Sequence, residues 1–501
     1  MKKNLFVFLS ILIIVAFTSL FYSNSIGINL CLFEFLIIPL MIYVNKPVRF
    51  NYLSIILLIA TFLTAFMTVI IHTPWTISIN ILLLLTLSTA LMYSGFRSYV
   101  HVFIESIIRL FTAHFPALSV HRKRRKTSSK SGQMFKKLFY YVFIPLAFLI
   151  FFLILYLSAS SSFYKQVEPL VTALIQWLEN FNLKIIWYII AGFLIANIAL
   201  RKVRPIGLYQ HDRLSGDQLL RKRKKQYYSY LRTSTLKMQY LSAVIIFSVL
   251  NVLILYFNII DIVYVWFFQW DGSFLKEFVH EGTWVLVFSI FLSAMMVLYF
   301  FKGNLNFYSR NKWLKRLTYL WIAQNVFMAL SVIIRNYWYM HYFGLAYKRI
   351  AVFFFLMLTI IGLISVFIKI NRLKSTFFLW RINAFALLLV LVFTACINWN
   401  TFIARYNFAH YNQSFIEYKF LAGLDDSALP FTLKTDTELN HIDSVQQNTM
   451  PFNTHMDYFW TGKEYQKVMQ SKKTKFIKRY QTLNFLEWNV ADYITYQRLK
   501  E

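Results

Sequence analysis

About eleven long apolar runs divide this chain of 501 residues, and they constrain its fold more than any other feature. A helix rises about 1.5 Å per residue, so roughly 20 apolar residues cross a hydrocarbon layer about 30 Å thick. Barrel strands need only about ten residues of strict alternation, whereas these runs are apolar on all sides. The sequence therefore predicts an all-α, polytopic bundle of membrane-spanning helices. The predicted spans are residues 5–22, 28–44, 53–71, 76–93, 138–158, 183–200, 241–260, 284–301, 317–334, 350–370 and 383–398.

The first run has two interpretations. Lys2 and Lys3 precede it, as the charged region of a cleaved signal peptide would. The run is longer than the usual apolar core of about 7 to 15 residues, and residues 23–25 lack the small-residue pattern of a cleavage site. A retained membrane anchor is favoured, and both interpretations place the N-terminus inside.

The basic residues predict the orientation of the bundle, because Lys and Arg near span ends resist translocation. With the N-terminus inside and an odd number of spans, the tail 400–501 falls outside. One outer loop breaks the rule, since it holds Arg335, Lys348 and Arg349, and we expect Glu281 at the start of a neighbouring span to pair with Arg335. The strong basic clusters all fall inside: Lys46 with Arg49, residues 122–126 with Lys136 and Lys137, residues 221–225, Lys302 with residues 310–316, and Arg372 with Lys374.

Four regions follow from this topology. Residues 1–94 form a four-helix membrane unit, 95–137 an interfacial helix and basic loop in the cytoplasm, 138–399 a seven-helix membrane unit, and 400–501 an extracytoplasmic helical tail. The tail has 12 Lys and Arg against 11 Asp and Glu, so the net charge of +31 lies almost entirely elsewhere.

Two of these regions carry detailed helix predictions. Helices are predicted in the tail at residues 402–424 and 483–499, with Pro430 and Pro451 breaking the chain between them. Residues 95–119 predict a helix lying flat on the cytoplasmic leaflet, with a charged face opposite an apolar one. The charged face is formed by Arg97, His101, Glu105 and Arg109.

The net charge of +31 does not indicate a nucleic-acid partner. The basic runs are short loops between spans, without a recognisable reading motif, and anionic lipid headgroups attract such loops by about 1 kcal/mol per basic residue. The predicted partners are therefore the lipid bilayer, its anionic headgroups at the cytoplasmic loops, and an envelope or membrane protein.

Motifs of common chemistry are absent from the sequence. Cys31 and Cys396 each lie inside a predicted span, so neither a disulfide framework nor a Cys-based zinc site is indicated. The sequence contains no Gly-rich phosphate loop, no H-E-x-x-H helix and no G-x-S-x-G elbow. No cofactor and no metal are predicted, and a role without catalysis is favoured, although other enzyme classes stay open.

Polar residues inside the spans are the best candidates for interior contacts. Glu34 is the only carboxylate that the predicted boundaries place well inside a span, where it either carries a coupling proton or is neutral and bonded to a neighbouring helix. Two later spans each have a polar face, and such faces more often join helices than line a path. These faces consist of Ser248, Asn251 and Asn258 on one span and of Gln324, Ser331 and Arg335 on the other.

Residues 240–430 resemble the bacterial membrane protein family called domain of unknown function 4173. Ala346 departs from the Thr or Ser usual in that family. The resemblance implies a multi-spanning protein of a bacterial cell membrane, and no reaction. It rests on Phe278-Val279-His280-Glu281-Gly282, Arg335, Tyr337, Tyr342-Phe343-Gly344-Leu345, Lys348-Arg349, Asn400-Thr401-Phe402-Ile403-Ala404-Arg405-Tyr406-Asn407, Tyr418, Leu421 and Ala428-Leu429-Pro430.

The topology places many of these polar residues at the outer ends of four spans. They form either an outward-facing site for an anionic ligand or a network that fastens the tail to the bundle. Three functions stay open: a receptor-like or scaffold protein, a transporter or channel using Glu34, and an intramembrane transferase for lipid-linked substrates. The outer residues are His280, Glu281, Arg335, Tyr337, Tyr342, Lys348, Arg349, Arg405, Tyr406 and Asn407.

Overall fold

The computed structural model describes most of the chain as helices. The described part has no strand, only one isolated bridge between Gln218 and Lys374. It contains seven helices long and apolar enough to span a membrane, and three shorter apolar helices. Helices of this number, length and composition are typical of a multi-pass membrane protein. The described residues are 3–46, 50–114, 183–203, 207–221, 229–266, 275–301, 303–449 and 460–500, with isolated positions between 141 and 172.

The chain divides into two compact units, 1–24 with 108–206 and 25–107 with 207–501. In the first unit, α1 packs against α6 closely enough that a Cβ on Gly192 would lie 3.1 Å from the Ile14 Cα. The predicted span 138–158 lies largely outside the described residues. The early helices are α1 (Lys3–Phe21), α2 (Ile28–Val44), α3 (Tyr52–Ile70), α4 (Pro74–Met92), α5 (Tyr99–Thr112), α6 (Leu183–Leu200) and α7 (Leu208–Leu214).

Helices α2 to α4 form the first bundle of the second unit. Asn51 caps α3 in a capping box with Ser54, and Thr73 caps α4 ahead of Pro74 at its first turn. Thr61 and Thr64 are fully buried, and their hydroxyls donate to backbone carbonyls one turn earlier. The interior of this bundle therefore accepts short polar side chains without leaving their hydroxyl groups unbonded.

Helices α8 and α10 are the centre of a second bundle, and their polar faces meet each other. The Gln324 side chain donates to Asn251 Oδ1 at 2.7 Å, and the Asn258 amide donates to the Gln324 carbonyl at 3.3 Å. The prediction that these faces contact protein is confirmed. The bundle consists of α8 (Ser229–Asp261), α9 (Leu275–Phe300), α10 (Lys312–Phe343), α11 (Tyr347–Asn371) and α12 (Thr376–Ala395).

Helix α8 continues one residue past its predicted end at Ile260, and a π turn from Ile262 to Trp266 follows it. Asp261 is consequently buried, with 2% of its surface exposed, instead of lying in an outer loop. The expectation that Glu34 is the only carboxylate inside a span is therefore wrong. The span continues through apolar residues after Asp261, namely Ile262, Val263 and Val265, so Asp261 lies inside it and not at its end.

The tail is helical, as predicted, but its helices have different bounds. The predicted helix 402–424 is two helices separated by a loop, and Pro430 lies in the first turn of a short helix rather than in a break. Pro451 lies outside the described residues. The helices are α13 (Trp399–Ala409), α14 (Tyr418–Ala422), α18 (Val490–Lys500), and three that were not predicted, α15 (Leu429–Thr432), α16 (Asp436–Thr449) and α17 (Gly462–Gln481).

One end of the second unit carries the tail, and we call it the tail side. The Ile28 amide at the start of α2 donates to the Trp488 carbonyl at 3.0 Å. At the same end, Thr76 of α4 donates to the Ala395 carbonyl at 2.9 Å. The other end, called the loop side, holds Lys46 just after α2 and the links 93–98 and 372–375, which include basic residues predicted to be cytoplasmic.

Helix α5 forms where an interfacial helix was predicted, but its charged face is not in water. His101, Glu105 and Arg109 are at most 7% exposed, whereas Ile107 and Phe111 are 40% and 65% exposed. The apolar face is thus the outer one. A helix at the lipid boundary can bury its charged face when protein groups solvate it, as the Arg109 guanidinium shows by donating to the Ile198 carbonyl.

Candidate functional site

A cleft of about 670 Å³ lies on the tail side, between the tail and the ends of α3 and α12. Ile70 at the end of α3 and Ile397 after α12 form its membrane-proximal part, and Phe402 of α13 is 49% exposed beside them. We call it the tail-side cleft. Its other principal lining residues are Arg405, Tyr406, Phe431 and Arg498.

Two arginines in the cleft share one aromatic ring. The guanidinium carbons of Arg405 and Arg498 each lie 5.2 Å from the centre of the Phe431 ring. Cation–π contact of this kind orients a guanidinium and still leaves its N–H groups available. Because both distances are measured to one ring, the two positive charges are at most twice that distance apart.

The nearby carboxylates are bound to other cations. Asp426 lies 3.1 Å from Arg479 and 4.0 Å from Lys472, and Asp492 lies 3.1 Å from the same Arg479. Burial raises the pKa of Asp426, and the two cations oppose that rise. Within the described ranges, no carboxylate lies within 4 Å of Arg405 or Arg498. The cleft therefore has an excess of positive charge.

Neutral polar groups complete the cleft. Asn398 Oδ1 caps α13 by accepting from the Thr401 amide, and Thr401 donates in turn to the Ser427 carbonyl at 3.1 Å. The Tyr406 ring stacks on His410 at 4.2 Å. Burial raises the pKa of Tyr406, so its phenol stays protonated and can donate a hydrogen bond. Two guanidinium groups and a phenol donor thus line the cleft together with apolar side chains.

Two of the predicted outer residues fasten the α10–α11 loop. Asn407 accepts from the Leu345 amide at 2.6 Å and donates to the Leu345 carbonyl at 3.0 Å. Arg349 donates to the Phe343 and Gly344 carbonyls and stacks over Tyr339. Gly344 has φ +72°, a conformation that favours glycine.

The anomalous Arg335 has a carboxylate partner, Asp261. The Arg335 guanidinium donates to Asp261 Oδ1, and the Ser331 hydroxyl donates to Oδ2 of the same carboxylate. Trp266 donates to the Ser331 hydroxyl oxygen at 3.2 Å, above this group. The expected acidic compensation of Arg335 therefore exists, and it joins α8 to α10. The side chain of Glu281 lies outside the described residues.

The other predicted site residues are dispersed. Tyr337 is 52% exposed and stacks on His341, Tyr342 stacks on Trp338, and Lys348 is exposed. The His280 side chain, like that of Glu281, lies outside the described residues. Of the predicted residues whose side chains the structure describes, Arg405 and Tyr406 line the tail-side cleft, and the others belong to a loop clamp, an ion pair or separate surface positions.

Glu34 is fully buried in the first bundle. The Asn80 side chain lies beside its carboxyl, but the Asn80 NH2 group donates to Thr61 O and Thr64 Oγ1. Within the part of the chain that the structure describes, three oxygen atoms have no hydrogen-bond partner: both carboxyl oxygens of Glu34 and Asn80 Oδ1. A proton on Glu34 would provide the missing donor for Asn80 Oδ1.

The sequence alone did not indicate Phe431 or Arg498. Phe431 lies next to the quoted Ala428-Leu429-Pro430 phrase, which was a usable signal. Arg498 lies about 90 residues from Arg405 along the chain, and no local pattern joins two such positions. The helical fold of the tail brings them together.

Several helices long enough to span a membrane, a helical tail and a basic cleft place the protein in the class of helical membrane proteins. The chain matches the family described as domain of unknown function DUF4153 over residues 53–434, and it belongs to that family. The phrases likened to family 4173 thus support only the coarser prediction, a membrane family of unknown function. No curated protein and no solved structure matches the chain.

Proposed function

We propose that this chain is a receptor-like protein of a bacterial cell membrane, whose tail-side cleft binds the anionic group of an amphiphile in the outer leaflet. The observation that carries this proposal is the pair Arg405 and Arg498 over Phe431, with no carboxylate of the described residues within 4 Å of either guanidinium. Two guanidiniums placed together repel each other, and a phosphate or carboxylate between them removes that cost.

The surroundings of the cleft favour an amphiphile over a free anion. Ile70 and Phe402 are exposed beside the arginines, and Ile70 ends a helix long enough to span the membrane. An alkyl chain can contact these residues while its headgroup reaches Arg405. The clamp formed by Asn407 and Arg349 fixes the α10–α11 loop next to the tail.

Thermal unfolding of the full chain in maltoside micelles tests this function. Added phosphatidylglycerol should raise the midpoint temperature, because a ligand that binds only the folded state stabilises it. Inorganic phosphate should raise it less at the same concentration. In the Arg405→Gln and Arg498→Gln variants, the phosphatidylglycerol affinity should fall about tenfold each, since each loses one charge-assisted contact.

Lys475→Gln is the matched control. It removes one positive charge from an exposed position of α17 that does not line the cleft. This variant should keep the full temperature shift. An equal loss in Lys475→Gln and Arg405→Gln would mean that phosphatidylglycerol binds through general charge, and the cleft would lose its proposed role. An equal effect of phosphate and lipid would point to a soluble anion.

A transporter is the second candidate, because Glu34 is fully buried without a partner among the described residues. In that case Glu34 binds and releases a proton during transport. Liposomes containing the protein and the dye pyranine should show potential-driven proton entry, and Glu34→Gln should abolish it. Glu417→Gln changes an exposed tail carboxylate and should not. Equal proton entry with and without protein would reject this candidate.

A further inference from the structure

A second and larger groove, of about 1650 Å³, lies on the loop side of the second unit. Its walls are the apolar parts of α5, the start of α8, the end of α9 and the start of α12. This volume exceeds the roughly 300 to 1,000 Å³ of a typical small-molecule pocket. Ile246 and Trp380 on its walls belong to helices long enough to span the membrane, so the groove continues into the lipid-facing surface.

One end of this loop-side groove is polar and built on a buried carboxylate. Asp212 is fully buried and accepts from the Arg97 and Ser98 amides at 2.7 and 3.0 Å. Its Oδ2 lies 3.3 Å from His101 Nδ1, and His101 Nε2 lies 3.2 Å from His211 Nδ1. The chain of contacts fixes the His211 ring, whose Nε2 is 3.5 Å from the Ser215 hydroxyl.

The segment that carries His211 and Ser215 is held firmly. The Leu219 amide donates to the Leu373 carbonyl at 2.7 Å, and the Ser375 hydroxyl donates to the Gly216 carbonyl at 2.6 Å. Asp217 is bound by Arg381 at 2.6 Å. A rigid frame of this kind keeps the polar end at a constant distance from the apolar walls, as a site for a molecule with a head and a chain requires.

Two large apolar side chains on the same segment are almost fully exposed. Leu214 is 84% exposed and Leu220 is 79% exposed, and both line the groove. Leucines that line a groove beside membrane-length helices are stabilised by contact with acyl chains. Arg213 directly precedes Leu214 and Arg221 directly follows Leu220, and arginines beside a membrane surface attract anionic headgroups.

We propose that the loop-side groove binds one glycerophospholipid from the leaflet on that side, with its phosphate at His211 and Ser215 and an acyl chain along Ile246 and Trp380. This site is independent of the tail-side cleft. The two aspartates of the segment are bound, Asp212 by backbone amides and Asp217 by Arg381, so Arg213 and Arg221 supply the positive charge that attracts an anionic headgroup. The Ser215 hydroxyl and the His211 ring, in the tautomer with Nε2–H, can each donate a hydrogen bond to a phosphate oxygen.

Photocrosslinking of the full chain in maltoside micelles tests this proposal without a competing phospholipid. A benzoylphenylalanine in place of Ser242, an exposed residue of the groove, reports the bound lipid. Radiolabelled phosphatidylglycerol should crosslink at least five times more than a diacylglycerol with the same chains. His211→Ala should remove this preference, and Gln210→Ala, an exposed residue outside the groove, should retain it.

A second pair of variants tests the apolar walls of the loop-side groove. Ile246→Trp fills the groove and should lower the crosslinking of both lipids at least fivefold, whereas Ile245→Trp, one residue away and outside the groove, should leave it unchanged. Equal crosslinking of phosphatidylglycerol and diacylglycerol in the unchanged protein would overturn the phosphate site. Equal losses in Ile245→Trp and Ile246→Trp would show general lipid contact and overturn the groove.

Discussion

The two membrane bundles of the second unit bury carboxylates in opposite ways. In the bundle of α8 and α10, Asp261 is ionically paired with Arg335 and accepts from Ser331. In the bundle of α2 to α4, Glu34 is fully buried, and no described cation or donor contacts its oxygens. A carboxylate in low dielectric must be either paired or neutral. We therefore expect a neutral acid in the bundle of α2 to α4 and a charged one in the bundle of α8 and α10.

The two carboxylates should therefore differ in how much they contribute to stability. The Asp261 pair joins two helices through charges that depend on each other, so loss of one partner affects the whole bundle. Glu34 joins nothing through charge, and its proton can be replaced by an amide hydrogen without a change in packing. The substitutions below should therefore have very different effects on the free energy of unfolding.

The largest effect is expected at the ion pair. Arg335→Gln leaves Asp261 buried without its cation, and this should lower the free energy of unfolding by about 3 to 5 kcal/mol. Asp261→Asn should cost a similar amount. Urea unfolding of the detergent-solubilised protein, followed by tryptophan fluorescence, measures both losses.

The double variant Asp261→Asn with Arg335→Gln is the control for coupling. Two neutral amides can bond to each other, so the double variant should lose clearly less than the sum of the two single variants. Strictly additive losses would mean that the two residues are not energetically coupled. The bundle of α8 and α10 would then not depend on the charged pair.

A smaller effect on the free energy of unfolding, dependent on pH, is expected at His101. Its neighbour Asp212 is another buried carboxylate, held by backbone amides. Burial and the neighbouring His211 lower the pKa of His101, so the folded protein takes up this proton less readily than the unfolded chain. Stability from His101 is complete above pH 6.5, the approximate pKa of an unperturbed histidine, and falls as the pH decreases below it. Thermal unfolding between pH 5.5 and 7.5 measures this decrease.

The charged groups that face His101 determine whether stability rises or falls with pH, and a His101 variant is the control. Asp212 attracts a proton on His101, whereas His211 and Arg97 oppose it. Burial raises the pKa of Asp212, and that contribution has the opposite sign, since it grows as the pH falls. In His101→Gln the decrease between pH 7.5 and 5.5 should be smaller. An unchanged pH profile in this variant would assign the decrease to other groups.

The smallest effect is expected at Glu34. Glu34→Gln keeps the shape of a protonated carboxyl and offers an N–H to Asn80 Oδ1, so the free energy of unfolding should change by less than about 0.5 kcal/mol. Glu34→Leu, which removes the donor, should cost more. A loss of several kcal/mol in Glu34→Gln would show that the native carboxyl is charged, and the contrast with Asp261 would disappear.

The local predictions were the accurate ones. The bounds of α2 and α6 equal the predicted spans, because apolar length is a local property. The polar faces of α8 and α10 were also predicted, since helical spacing places Asn251 and Asn258 on one side. What the sequence did not reveal is which faces meet, and the pairing of Arg335 with Asp261 depended on a helix end that shifted only slightly.

The tail-side cleft was predictable only in part. Arg405 and Tyr406 stood out because they occur in a distinctive phrase after a span. Arg498 had no such signal, since it lies in a helix with ordinary charged spacing and meets Phe431 only after the tail folds. Burial of the charged face of α5 was also missed, because an amphipathic pattern does not reveal whether water or protein covers the polar side.

The contact between the start of α2 and the tail affects when the bundle of α2 to α4 can finish folding. The Ser25 amide donates to Glu487, a residue 462 positions later, and the Glu487 backbone fills the space beside Gly27. Synthesis at about 5 to 20 residues per second separates these two segments by roughly half a minute to a minute and a half. During that interval the Ser25 and Ile28 amides lack their final acceptors while α2 to α4 are already in the membrane. Completion of this bundle therefore has to wait for translation to deliver the tail.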